Sequence, residues 1–443
     1  MLFYIIFFLT SCLYALFSFI LTEPNLVMSS HPLYWNFQTY MWEHFYANSQ
    51  FVTAFYIFII IALFCSYLLI VYSLAQKKIE FTLSLKSKYL WLFLLVLVPI
   101  LISYNALSHD VFNYMFYAKM LLVHHANPYV FTPQDFEKTD LWVRFMHNVD
   151  VINVYGYAWT GLSLVPFVLG FQKFLLTLIA FKVFTVFGVF LLYQALQHLS
   201  RSIYNRNLYV HELALVFLNP LFLLEAVSNY HNDLWMMIPA VFSISMLIRL
   251  FNNTWSNTTK VSKPVYFGLS SGLLFISIFI KLATVVLVPF YIFAALFLFF
   301  LPQYSALIQK RFHIPVPVIL ISAGLQFISR LVEKYIPTIV ALTLFATLFS
   351  ERSRQFLPWY LLWIIVWVPF IQNKTIRNLF LVFSLSCLLR YVPWLENAYE
   401  YSPEIILRQK VVTWGIPALY LLNRLLDTVF SMKKFGSPSC YHF

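Results

Sequence analysis

Charge is what this chain has least of. Only 10% of its 443 residues are Asp, Glu, Lys or Arg, whereas 61% are hydrophobic and 20% aromatic, and the mean hydropathy is +0.77. A water-soluble domain of this length would expose far more charge, so the composition is that of a polytopic membrane protein. Glycine is also scarce, at nine residues. The apolar runs are continuous and do not alternate, which excludes barrel strands and leaves α-helices. The four cysteines, Cys12, Cys65, Cys387 and Cys440, have no metal-site spacing, and three of them sit inside apolar runs. Leu9-Thr10-Ser11-Cys12 has the outline of a lipoprotein cleavage box, but no basic residue precedes it and the apolar run continues to Leu21, so a first span is expected there. A serine nucleophile motif, a P-loop and a dinucleotide fingerprint are all missing. The net charge of +12 comes largely from short loops. There it orients spans against a cytoplasmic leaflet and does not argue for nucleic-acid binding.

Against this background one stretch reverses the composition. Residues 108–156 carry Asp110, Lys119, His124, His125, Asp135, Glu137, Asp140, Arg144, His147 and Asp150. Such a segment is too polar for hydrocarbon and must lie between two spans. The expected organisation is N-terminal transmembrane helices over 1–104, a catalytic external loop with interfacial helices over 105–157, and a further bundle over 158–443. Lys77, Lys78, Lys86 and Lys88 mark an inner loop, so the N-terminus is expected inside and residues 105–157 outside. The basic feet at Arg201, Arg206, Arg249, Lys260 and Lys263 turn His231-Asn232-Asp233 to the same outer side. Nine to twelve spans are expected. The counts for 157–199 and 302–350 stay open, because each must cross an odd number of times yet is long enough for two crossings. The sequons at Asn252, Asn257 and Asn373 fall on the inner side in this topology.

Four groups of residues have the chemistry of a site. If residues 110–122 form a helix, Asp110, Tyr114 and Tyr117 share a face, and Asn127-Pro128-Tyr129 breaks that helix. A carboxylate among aromatic rings suits a sugar, whose apolar face stacks while a hydroxyl meets the carboxylate. A helix cap, or an ion pair with Lys119, is the plainer reading. His231, Asn232 and Asp233 offer more polar side chains than the one helix cap a turn needs, and Glu225 in the preceding apolar run is costly unless it faces protein or water. Lys281 is an unpaired cation within FISIFIKLATVVLVPF. It either meets a ligand, a phosphate being the best fit, or snorkels to the interface. Arg144, Arg352 and Arg354 are further phosphate-binding candidates. The adjacent pairs His109-Asp110 and His124-His125 point apart on a helix, so no metal ligand set is assigned.

In order along the chain, Asp110, Tyr114, Ala118 and Ala126-Asn127-Pro128-Tyr129, then Tyr155-Gly156-Tyr157, Asn219-Pro220 with Glu225, Asn229 and His231-Asn232-Asp233, then Ile280-Lys281 and Pro358-Trp359-Tyr360, resemble the motifs of GT-C-type membrane glycosyltransferases. The nearest resemblance is to the bacterial and archaeal polyprenyl-phosphate-mannose-type enzymes. Ala126 stands where glycine is usual, and a single aspartate replaces the usual pair. No cofactor is assigned, and the single aspartate weakens the case for a divalent metal. The resemblance implies an all-α, GT-C-type membrane fold and an inverting hexosyltransferase in the cytoplasmic membrane. Mannose would pass from a polyprenyl-phosphate-linked donor to a glycan, lipid or protein hydroxyl at the outer face, with membrane lipids around the site. Asp110 would be the catalytic base. Tyr114, Lys119, Tyr129, Arg144, His231, Asn232, Asp233, Lys281, Arg352, Arg354, Trp359 and Tyr360 would bind substrate. The competing class is a transporter or lipid-carrier flippase, against which stand the absence of a repeat, the scarcity of glycine and the gathering of polar groups on one face.

Overall fold

In a computed structural model, residues 2–22, 28–251, 262–300, 334–353 and 355–435 are described. The described chain is helical throughout, its one β-bridge joining Glu80 and Tyr209. Among the described residues eight helices are long and apolar enough to cross a membrane, or nine if one bent pair counts as a single span.

The first two spans are α1 (Leu2–Ile20) and α3 (Ser49–Ala75), close to the apolar runs of the sequence. The aromatic stretch between them holds a ten-residue helix, α2 (Pro32–Met41), opened by Pro32 at its first turn. Asn48 starts α3 by accepting the Phe51 amide. The third apolar run forms α4 (Lys88–Ile102), only 15 residues long, which packs against α1. Its C-terminal carbonyls are closed by Lys182, whose Nζ donates to Leu101 O at 2.8 Å and Ser103 O at 3.1 Å. A cation there answers the negative end of the helix dipole.

The polar segment opens with α5 (Asp110–Leu122), which ends five residues before Asn127. Its charges largely satisfy one another. Lys119 Nζ lies 2.6 Å from Asp140 and 4.1 Å over the Trp142 ring, and His124 reaches Asp140 at 2.8 Å. This overturns the plainer reading of Asp110 as a partner of Lys119. Nine residues at 100° each put the two on opposite faces of α5.

Residues 157–199, open in the sequence, resolve into a 13-residue helix, α6 (Tyr157–Leu169), and one long span, α7 (Phe174–Tyr204). The next pair is the bent one. Helix α8 (Val210–Phe217) meets a π-helical turn (Phe222–Ser228) at 63°. The break falls at Asn219-Pro220, where Pro220 has no amide to give the helix and Asn219 Oδ1 accepts from the Leu221 amide instead. Helix α9 (Asp233–Phe251) is the centre of the bundle, with 83% of its apolar window buried against 22–56% for the other spans. It packs between α7 and α10 (Lys263–Ile280). Lys281 is extended (φ −156°, ψ 130°) and separates α10 from α11 (Leu282–Phe300). Helix α12 (Lys334–Phe349), the short α13 (Pro358–Phe370), α14 (Lys374–Glu396) and α15 (Pro403–Phe435) complete the chain. Asn373, one of the three sequons, caps α14 through the Thr375 and Ile376 amides, whereas Asn252 and Asn257 lie outside the described residues.

The basic loops meet one another. Phe81 N donates to Leu208 O and Val210 N to Ile79 O, joining the loop after α3 to the loop before α8. Because α4 runs from the first of these loops towards Asp110, the basic contact and Asp110 lie at opposite ends of the bundle.

Candidate active site

Asp110 is the first residue of α5, and its side chain leans onto the turn between the π-helix and α9. In that turn Tyr230 adopts φ +59°, a left-handed conformation costly for an aromatic residue. It carries the chain sharply back so that His231 lies between two carboxylates. His231 Nδ1 stands 3.4 Å from Asp110 Oδ2, and Nε2 stands 3.3 Å from Glu225 Oε2. The Trp359 ring stacks on the imidazole at 3.8 Å. Glu225 is completely buried, and it accepts from Tyr391 OH at 2.9 Å and Asn229 Nδ2 at 3.1 Å. The cost of a carboxylate in this apolar helix is thus met by protein partners.

Electrostatics follow from this sandwich. Burial disfavours the His231 cation, but the carboxylates of Asp110 and Glu225 outweigh it and raise its pKa to about 9. Burial raises the Asp110 pKa, yet His231, the Lys281 charge and the Tyr155 hydroxyl together hold it below the ordinary carboxylate value. At neutral pH an imidazolium at His231 therefore faces an ionised Asp110.

Lys281 was expected to be unpaired and is not. Its Nζ lies 2.8 Å and 3.0 Å from the two oxygens of Asp233, which also accepts from the Trp363 indole. The rings of Tyr360 and Trp363 lie beneath the ammonium, at 4.9 Å and 5.6 Å. A partner 48 residues away is invisible to a reading of the local apolar run. Asp233 stands at the first turn of α9 as anticipated, but its carboxylate is committed to Lys281 and Trp363.

Asp110 and Lys281 open into the same cavity, of about 1120 Å³. Their side chains keep 21% and 22% exposure, whereas His231, Glu225 and Asp233 have none. Tyr155, Tyr157, Trp359, Tyr360 and Trp363 wall the cavity near the charges. Ile278, Leu282, Val285, Val286 and Ala346 form an aliphatic flank. Gly156 makes the junction possible. Its amide donates to Ile280 O at 3.2 Å, and a Cβ there would stand 1.9 Å from Phe279 O. Only glycine lets the end of the polar segment approach the residue before Lys281 so closely.

The structure thus brings Asp110, His231, Asp233, Lys281, Trp359 and Tyr360 together. Tyr114 is buried beside them and packs on Tyr155 and Trp159. His231, Asn232 and Asp233 lie behind the cavity wall, and the Asn232 side-chain amide has no hydrogen-bond partner among the described residues. Tyr129 lines a neighbouring hollow, Lys119 is held by Asp140, and Arg144 is exposed elsewhere on the polar segment. Arg354 and the Arg352 side chain lie outside the described residues. Neither Trp363 nor Tyr391 stood out in the sequence. Trp363 follows Trp359 by one helical turn, a signal that was available, whereas nothing local points to Tyr391. Among the described residues no group of three or more His, Cys, Asp or Glu side chains is arranged to hold a metal ion.

Comparison with known proteins places the chain in a family. No curated protein and no solved structure matched the chain. Residues 9–297 match the family described as alpha-(1->6)-mannopyranosyltransferase, N-terminal domain (MptA_B). The match takes in Asp110, Glu225, His231, Asp233 and Lys281 and stops before Trp359. The chain belongs to this family, and it is a membrane-embedded mannosyltransferase of GT-C-like character.

Proposed function

We propose that the protein transfers mannose, with inversion, from a polyprenyl-phosphate-linked donor to a glycan, lipid or protein hydroxyl at the outer face of the cytoplasmic membrane. The observation that carries this reading is the shared cavity, with an ionised carboxylate and an ammonium group on one side and an aliphatic flank on the other. The flank suits an isoprenoid tail. Lys281 suits its phosphate, and Tyr360 and Trp363 hold the ammonium in place. Asp110 then faces the side from which an acceptor enters.

The acceptor oxygen attacks the anomeric carbon opposite the phosphate. Its proton passes to Asp110, while the bond from C1 to the phosphate oxygen breaks and its electron pair leaves with the polyprenyl phosphate. The sugar passes through an oxocarbenium-like transition state. Lys281 meets the charge growing on the leaving oxygen. His231, fixed by Glu225 and Trp359, orients Asp110 and keeps it ionised between turnovers. Asp233 in turn positions Lys281.

The family's α-(1→6) linkage, combined with inversion, requires a β-linked mannosyl phosphate and a primary hydroxyl acceptor. Purified protein should therefore consume β-mannosyl polyprenyl phosphate and leave the α-anomer. Use of the α-anomer with an α-linked product would overturn the inverting mechanism. In Lys281→Met the KM for the donor should rise, and an unchanged donor KM would remove Lys281 from phosphate binding.

A further inference from the structure

Beside the Asp110 cavity lies a second hollow of about 640 Å³, and Tyr157 borders both. Beside Leu121 and Ala126 its lining carries tyrosine rings and polar side chains that the aliphatic flank next door lacks. Tyr129 and Tyr157 present their rings with centroids 4.4 Å apart. The Tyr129 ring cannot swing freely, because its hydroxyl is held by Thr160 Oγ1 at 2.7 Å and by Tyr155 O at 3.1 Å. The exposed side chains of His125 and Asn127 stand at the rim. The floor is Gly161 on α6, where an added Cβ would meet nothing within 4 Å. In a helix glycine is costly relative to alanine, and here its effect is to leave open space above α6.

We infer that this hollow is a carbohydrate subsite for the acceptor glycan. It would hold the sugar that precedes the residue whose hydroxyl is attacked, and this rests on the reading of the neighbouring cavity as the transfer site. Fixed tyrosine rings receive the apolar face of a pyranose, while an imidazole and a carboxamide exchange hydrogen bonds with its hydroxyls. An isoprenoid chain would gain nothing from those polar groups, and the aliphatic wall that suits it lies on the far side of Tyr157. Tyr157 borders both hollows, so a glycan lying in the second would pass over it to bring its end to Asp110. Tyr129 also ties this subsite to the site itself, since the carbonyl it engages belongs to the residue that packs against Tyr114 beside Asp110. The enzyme would then favour acceptors at least two sugars long.

Calorimetric titration of the full-length, detergent-solubilised protein with α-linked mannose oligosaccharides, without donor, tests this directly. Affinity should rise about tenfold from one sugar to three, the scale of one good aromatic contact. Gly161→Trp, which fills the hollow, should abolish that rise, whereas Gly161→Ala should keep most of it. A length-independent affinity, or a rise that survives in Gly161→Trp, overturns the subsite. Should Gly161→Trp fail to fold, as judged by its elution and thermal midpoint, the double variant His125→Ala/Asn127→Ala must weaken trisaccharide binding several-fold, and unchanged binding overturns the proposal. A Gly161→Trp protein that loses affinity for polyprenyl phosphate but keeps the length effect would assign the hollow to lipid. Length-dependent binding without transfer from any polyprenyl-phosphate donor would defeat the donor reading and leave the subsite standing. Transfer without length dependence would do the reverse.

Discussion

At the scale of single residues, the site turns on the buried His231 ring held between Asp110 and Glu225. Because the folded pKa of His231 is raised to about 9, its contribution to stability is complete below its ordinary value near 6.5 and is lost as pH rises through about 9. Asp110 behaves in the opposite sense. Its pKa is depressed, so its contribution is present above the ordinary carboxylate pKa and is lost as pH falls through the lower folded value. The thermal midpoint in detergent should therefore fall as pH rises from about 6.5 to about 9 and level off above that. In Glu225→Gln one of the two carboxylates is gone, and that levelling point should move to lower pH. If it stays in place, Glu225 does not sustain the His231 charge. The residue types were legible in the sequence, because an Asp beside aromatics, a His-Asn-Asp turn and a lysine in an apolar run are each conspicuous. Their pairing was not. Lys281 with Asp233 and Glu225 with Tyr391 are contacts across 48 and 166 residues, and no local pattern encodes them.

At the scale of elements, the site is made by helix ends. Asp110 and Asp233 open helices, Lys281 separates two, and Gly156 lies just before α6. The sequence marks such ends through proline, asparagine and glycine, which is why the end of α5 before Pro128 was readable, whereas the bend at Asn219-Pro220 falls within one arm of the expected hairpin. The soft break at Gly170-Phe171-Gln172-Lys173 was visible, but composition alone does not tell whether the short apolar piece before it crosses by itself. The close approach at Gly156 gives a specific expectation. Gly156→Ala forces its Cβ against the Phe279 carbonyl and should destabilise the protein by about 1–3 kcal/mol, as overpacking of a tight contact does. It should also lower transfer by moving Tyr155 relative to Lys281. Gly268→Ala in α10, where the added carbon meets nothing, serves as the control and should be neutral or slightly stabilising. Equal melting and turnover for both variants would show that the 156–280 junction is not tight in solution.

At the scale of the whole molecule, the bundle separates its charges. The lysine-rich loop after α3 and the arginine-bearing loop before α8 touch at one end, and Asp110, His231 and Lys281 gather at the other. With the basic end inside, Lys138→Cys on the polar segment should react with an impermeant maleimide added to intact cells, and Lys86→Cys only after permeabilisation. The opposite pattern would reverse the orientation and place transfer on the inner face. Loop basicity is written in the sequence and sets the expected sidedness, whereas the number of crossings depends on how short helices pack. That is why the α-helical membrane class was plain from composition while the span count stayed open.

The most direct test of the central claim compares the unmodified protein with Asp110→Asn, both purified and supplied with radiolabelled β-mannosyl polyprenyl phosphate and a mannose oligosaccharide acceptor. The account predicts transfer by the unmodified protein and a loss on the order of 10²–10⁴ in turnover for Asp110→Asn, as expected for removal of a general base, with donor binding preserved. An Asp110→Asn protein that turns over at the normal rate would contradict it, and the carboxylate that the whole cavity is built around would not be the base.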